Sequence, residues 1–133
     1  MYLSRARSPR WPYGGRARCP GVPADPLEAL RRDLRAFVDE RDWAQFHAPK
    51  DLAAAVSVEA GELLEEFLWK PDVPADRRAA VAAEAADVYL YLLLLADRCG
   101  FDLVEAARAK LEANRAKYPV EKARGSAAKY DRL

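Results

Sequence analysis

The residues best suited to chemistry are two short acidic motifs, Glu59-Ala60-Gly61-Glu62 and Glu84-Ala85-Ala86-Asp87. Residues three apart share one side of a helix, so each motif presents two carboxylates side by side wherever the local chain is helical. Two such helices packed antiparallel across a short connection bring four carboxylates together. Like charges within a few ångströms raise one another's pKa or push the helices apart. A divalent cation removes that conflict. Oxygen ligands suit Mg2+ or Mn2+, and one histidine with two distant cysteines leaves no ligand set for zinc. Mg2+ keeps waters and binds phosphates, so the chemistry expected of such a centre is phosphoryl transfer. The alternative is a pair of solvated acidic helix faces.

The first motif carries two further marks. Glu59 lies about 20° from the apolar stripe of its helix, where an ionised group needs a partner. Gly61 costs about 1 kcal/mol relative to alanine in a helix interior, tolerable where something must approach the backbone.

The elements that must position these motifs are helices. The chain has 133 residues, 51% hydrophobic and 32% charged, with only 6 glycines, which fits one helical domain. Asp25-Pro26-Leu27-Glu28 opens the first helix with an N-cap and a first-position proline. Leu27, Leu30, Leu34, Phe37 and Val38 keep helical spacing to about residue 41. An aromatic loop, Trp43 to Pro49, precedes a second helix over Pro49–Trp69, striped by Leu52, Val56, Ala60, Leu63 and Phe67. The third helix runs from near Asp76 to Gly100, and the fourth from Asp102 to before Pro119. The middle of the third helix, Val88 to Ala96, is apolar nearly all round. One layer of four helices cannot cover it, so the expected architecture is an all-α four-helix bundle protomer in a homo-oligomer, a homodimer or homotetramer.

Charge and composition narrow the rest. Lys and Arg number 22 against 21 Asp and Glu, which argues against a nucleic-acid polymer as partner. The longest wholly apolar run has nine residues, short of the about 20 that cross a membrane. Residues 1–24 carry five arginines, four prolines and no acid, and read as a disordered basic arm. It loosely fits a transit peptide but lacks the apolar region of a secretory signal. The helical domain is expected over 25–120 and a basic tail over 121–133. The cysteine usage fits a reducing cytoplasm.

The acidic pattern, with a spacer of 21 residues between Glu62 and Glu84, resembles the MazG-type all-α nucleoside triphosphate pyrophosphohydrolases, and among them the dCTP pyrophosphatases. The stretches Arg41-Asp42-Trp43-Ala44-Gln45-Phe46-His47, Phe67-Leu68-Trp69-Lys70, Asp87-Val88-Tyr89-Leu90-Tyr91 and Asn114-Arg115-Ala116-Lys117-Tyr118-Pro119 carry the same likeness. So does the tail segment Ala123 to Tyr130, and the resemblance spans about residues 27–131. It implies Mg2+ held by Glu59, Glu62, Glu84 and Asp87, and hydrolysis of a nucleoside triphosphate between the α and β phosphates. Many members have another glutamate just before the first motif; here that residue is Val58.

Other side chains are candidates for substrate. Tyr91 lies four residues after Asp87 on the same face; it is either a phosphate or sugar contact or a core residue. Lys110, Asn114 and Lys117 form a polar stripe suited to a triphosphate, or a solvated face. The resemblance favours Lys110 and Asn114. Trp43, Phe46 and Trp69 sit at helix ends, where rings can stack on a base or plug the bundle. His47 can hydrogen-bond a base or sugar. Tyr118, Arg124 and Lys129 are weaker candidates. Two rival functions remain at this level: a broad house-cleaning pyrophosphatase for other noncanonical nucleotides, and a non-catalytic helical oligomerisation module.

Overall fold

The computed structural model describes residues 25–69, 72 and 77–132. Among these the chain is all-α, with no strand. Helix α1 spans Pro26–Glu40, α2 Pro49–Glu65, α3 Arg78–Cys99, α4 Leu103–Lys117 and the short α5 Val120–Ala123. A 3-10 turn, Trp43–Phe46, joins α1 to α2, and another, Tyr130–Arg132, ends the described chain. The expected basic arm, residues 1–24, and the start of the third helix at Asp76 lie outside the described residues.

The helix ends follow from local chemistry. Asp25 caps α1 by accepting from the Leu27 amide at 3.1 Å, with Pro26 preorganising the first turn. Asp102 caps α4 through the Val104 and Glu105 amides at 2.8 and 2.9 Å. Those amides, followed by the charge of Arg31, outweigh partial burial and hold the Asp102 carboxyl below the usual aspartate range. Gly100, at φ 76°, ends α3 in the left-handed conformation, and the Phe101 amide reaches back to the Ala96 carbonyl.

The second helix is shorter than its stripe predicts. It stops at Glu65, and residues 66–69 form turns closed by Phe67 N–H to Leu64 O and Leu68 N–H to Glu65 O. The tail, which shows no period in sequence, carries most of α5, which begins at Val120, and the final 3-10 turn.

Helices α2 and α3 make the most extensive pairing. Leu52 of α2 meets Leu94 of α3 in the core, with Val38 of α1. Seven residues forward on α2, Glu59 meets Asp87, seven residues back on α3. Farther on, Glu66 pairs with Arg77. These matched steps make the two helices antiparallel, as the acidic motifs require. The buried apolar residues, among those described, are Val38, Leu52, Leu93, Leu94 and Ala96. Leu34, Ala44, Tyr91 and Leu95 pack around the Val38–Leu52–Leu94 cluster.

Much apolar surface stays open, including Val58, Leu64, Tyr89, Leu111 and Val120. No residue of α4 is buried. By length and composition α3 could cross a membrane. Its charges place it otherwise: Glu84 and Asp87 join Glu59, and Asp97 takes two arginines.

Candidate active site

Carboxylate oxygens of Glu59, Glu84 and Asp87 lie within 4.8 Å of one another. Antiparallel packing makes this happen: Glu59 is two turns along α2 from the buried Leu52, and Asp87 two turns back along α3 from Leu94. Glu59 and Glu84 are half-buried and Asp87 is exposed. Glu62 lies outside the three-acid group, one turn on, yet its charge acts on both Glu59 and Glu84.

The electrostatics mark the strain of this gathering. Lost hydration, then the charges of Glu62, Asp87 and Glu84, push the Glu59 carboxyl above its ordinary value. Glu84 is raised by lost hydration and then by Glu62, Asp87, Glu66 and Glu65. No described lysine or arginine forms a salt bridge to Glu59, Glu84 or Asp87. An oxygen-only group without a cationic side chain fits a hard divalent ion, whose charge would offset the repulsion.

Gly61 stands between the two α2 acids with no neighbour within 4 Å of the place its Cβ would take. No described residue therefore makes the close approach that its sequence position allows. Ser57 donates to the Ala53 carbonyl at 3.1 Å, the local bond of a helical serine.

The aromatic candidates divide. Trp43 packs its ring edge-on to Phe37 at 5.7 Å, and the Arg41 guanidinium covers Phe37 at 3.7 Å. Phe46 is 65% exposed and Trp69 is 99% exposed. Trp69 also holds φ at 62°, a left-handed conformation uncommon for a bulky residue. His47 is half-buried; burial, then the charge of Arg98, lowers its pKa and favours the neutral ring. Tyr91 packs against the Val38–Leu52–Leu94 cluster, as does Ala44 of the first 3-10 turn. The 3-10 turn and Tyr91 thus pack against the same core cluster.

On α4, Lys110 is exposed and Asn114 half-buried, and among the described residues Lys110 forms no salt bridge to the acids. Farther along, the tail folds back. Tyr130 meets Tyr118 edge-on at 6.0 Å, with Lys117 and Lys129 ammonium groups at 5.1 and 5.8 Å from the Tyr130 ring. Arg124 is exposed.

Arg31, Arg35 and Asp97 belong to none of the motifs legible in the sequence. Asp97 is buried and accepts from Arg31 Nη2 at 2.6 Å, Arg35 Nε at 2.7 Å and Arg35 Nη2 at 2.9 Å. The available signal was an aspartate directly after the apolar run Leu92 to Ala96, a place where a charge needs partners.

A family model for MazG-like proteins matches residues 54–133. The chain is 46% identical over 118 residues to dCTP pyrophosphatase 1 of Mus musculus, covering 84% of this chain and 69% of that protein. With dCTP pyrophosphatase 1 of Homo sapiens the identity is 44%, with the same coverage. A crystal structure of a pyrophosphatase from Archaeoglobus fulgidus superposes with a TM-score of 0.70 at 39% identity, covering 74% of this chain and 96% of that one. By sequence and by fold alike, the chain belongs to the MazG-like family.

Proposed function

We propose that the chain is a divalent-cation-dependent nucleotide pyrophosphohydrolase. It cleaves dCTP, or a modified dCTP, between the α and β phosphates to the monophosphate and pyrophosphate. As a MazG-like protein whose curated relatives are dCTP pyrophosphatases, it is an enzyme, a hydrolase of nucleotide anhydrides. The observation that carries this reading is the convergence of Glu59, Glu84 and Asp87 from two helices.

Mg2+, with Mn2+ as an alternative, supplies a positive centre that offsets phosphate charge. The protein's own groups do the rest. Glu59, Glu84 and Asp87 would hold the ion. Glu62, close to that group but outside it, orients the attacking water and accepts its proton. Trp43, Phe46 and Trp69 offer ring faces to the base. Neutral His47 can donate from one ring nitrogen and accept at the other, which suits a base or sugar. Tyr91 positions the sugar from the same face as Asp87. Lys110, Asn114, Lys117 and Tyr118 receive the triphosphate.

No residue of α4 is fully buried. A homodimer or homotetramer would cover α4 and the open apolar side chains, and would set these polar groups against an acidic centre. A cytoplasmic enzyme of the nucleotide pool fits this chemistry. The open stacking faces of Phe46 and Trp69 also suit a broader house-cleaning activity, since every base has a π face.

A panel of nucleoside triphosphates, assayed with MgCl2 for pyrophosphate release, tests the proposal. dCTP or a 5-substituted dCTP is expected to give the highest kcat/KM. Release of orthophosphate instead, or no turnover of any triphosphate with Mg2+ or Mn2+, would overturn it.

A further inference from the structure

Asp97 lies ten residues beyond Asp87 on α3, about 15 Å along the helix axis. Its side chain is 4% exposed, and it takes three hydrogen bonds from two arginines of α1. Arg31 also reaches Asp102 Oδ2, the α4 cap, at 3.5 Å. One knot of charge thus ties together α1, the end of α3 and the start of α4.

A buried ion cluster is a poor source of stability, because desolvation offsets most of the attraction and apolar residues of similar size do as well. Here a cost is visible: the buried Arg31 Nε has no partner among the described residues. What a forked guanidinium–carboxylate contact supplies, and apolar packing does not, is a fixed direction. Helix α1 needs it. Of its fifteen residues only Val38 is buried, so greasy contact alone holds its orientation weakly.

The orientation of α1 passes directly to the aromatic segment. Phe37 meets Trp43 edge-on. The Arg41 and Asp42 amides donate to the Val38 and Asp39 carbonyls at 3.3 and 3.1 Å. Asp42 turns the chain at φ 52°, and Gln45 Nε2 locks that turn by donating to the Asp42 carbonyl at 2.9 Å and to Oδ2 at 2.8 Å. The segment from Trp43 to His47 is therefore a braced extension of α1. Arg98, next to Asp97, acts on His47 from the α3 side.

We propose that Asp97, gripped by Arg31 and Arg35, is a positioning residue for nucleotide recognition: it fixes α1, and with it Trp43, relative to the helix bearing Glu84 and Asp87. This rests on the reading of Trp43 to His47 as the base slot. The effect is on substrate binding rather than on the acidic centre.

The test compares Asp97→Asn, Asp97→Glu and Arg35→Lys in the full chain, with steady-state kinetics on the best triphosphate of the panel. Asp97→Asn is expected to raise KM about tenfold while kcat stays within about threefold, the mark of a displaced binding group. The rise in melting temperature with MgCl2 should be unchanged. Asp97→Glu should recover part of the KM. Arg35→Lys keeps the charge but loses the fork, so it should raise KM in a protein that still folds. A second readout uses Trp11→Phe/Trp69→Phe protein, in which Trp43 is the only tryptophan: Asp97→Asn should shift its fluorescence emission. Unchanged KM in folded Asp97→Asn and Arg35→Lys overturns the proposal, as does an unmoved Trp43 emission. A joint fall of kcat and of the MgCl2 response overturns it too, by locating the effect at the acidic centre. Should the parent protein turn over no triphosphate, the functional reading fails separately, and Trp43 emission still decides the coupling.

Discussion

Arg77 grips Glu66 with both Nε and Nη2, at 2.8 and 2.5 Å, closing the connection between the two helices that carry the acidic motifs. The carboxylate is largely covered, at 15% exposure, while the guanidinium is 42% exposed. The pair sits at the loop end of the hairpin, and Glu66 also contributes to the field on Glu84.

Arg77→Ala should therefore loosen the loop end of the α2–α3 pair. The partly exposed arginine limits the loss to about 1 kcal/mol. Urea unfolding of the two proteins measures it; an unchanged midpoint would show that the fork does not contribute to closure.

Removing single carboxylates should separate their roles. Glu59→Gln or Asp87→Asn takes an oxygen from the three-acid group, and should lower pyrophosphate release by at least about 100-fold. The same variants should lose the melting-temperature rise given by MgCl2 in the parent protein. Glu62→Gln, which removes the proposed base, should lower the rate by about 100–10,000-fold, with the cation response retained. Thermal melts with and without MgCl2, beside rate assays, check all three.

Trp69 tests the proposed base slot without disturbing the fold. At 99% exposure it supports no packing in the protomer. Trp69→Ala should leave the melting temperature unaltered and weaken nucleotide binding by about 1–3 kcal/mol, the range of a lost stacking contact. A KM equal to that of the parent would remove Trp69 from the slot.

Asp97 sets a pH dependence of stability. Burial would raise its pKa, but the hydrogen bonds from Arg35 and Arg31, then their charges, outweigh it and hold the carboxyl below the ordinary 3.8. The unfolded chain thus takes up this proton first as pH falls. The stabilisation is complete above about pH 3.8 and is lost as pH drops through the folded value. Asp97→Asn should be less stable by about 3–5 kcal/mol at neutral pH, and the gap should narrow only below pH 3.8. Denaturant unfolding across that range measures the gap; one that closes by mild acid would exclude Asp97 as its source.

The sequence alone determined the all-α class, the helix starts at Pro26 and Leu103 and the end of α3 at Gly100, because caps, prolines and a left-handed glycine act within a few residues. It also determined that Glu59 and Glu62 share a face, as do Glu84 and Asp87, since helical period needs no partner. It did not show that α2 ends at Glu65, because the apolar stripe continues through Phe67 while the backbone turns away. Only the tertiary structure decided that Glu59, Glu84 and Asp87 form the tight group and Glu62 stands outside it. That outcome depends on the rotation of α2 against α3, set by Leu52 and Leu94 in the core. Only the fold brought Arg31 and Arg35 to Asp97, more than sixty residues away in the chain. Local periodicity shows which side chains leave a helix together; which distant ones they meet is fixed by packing.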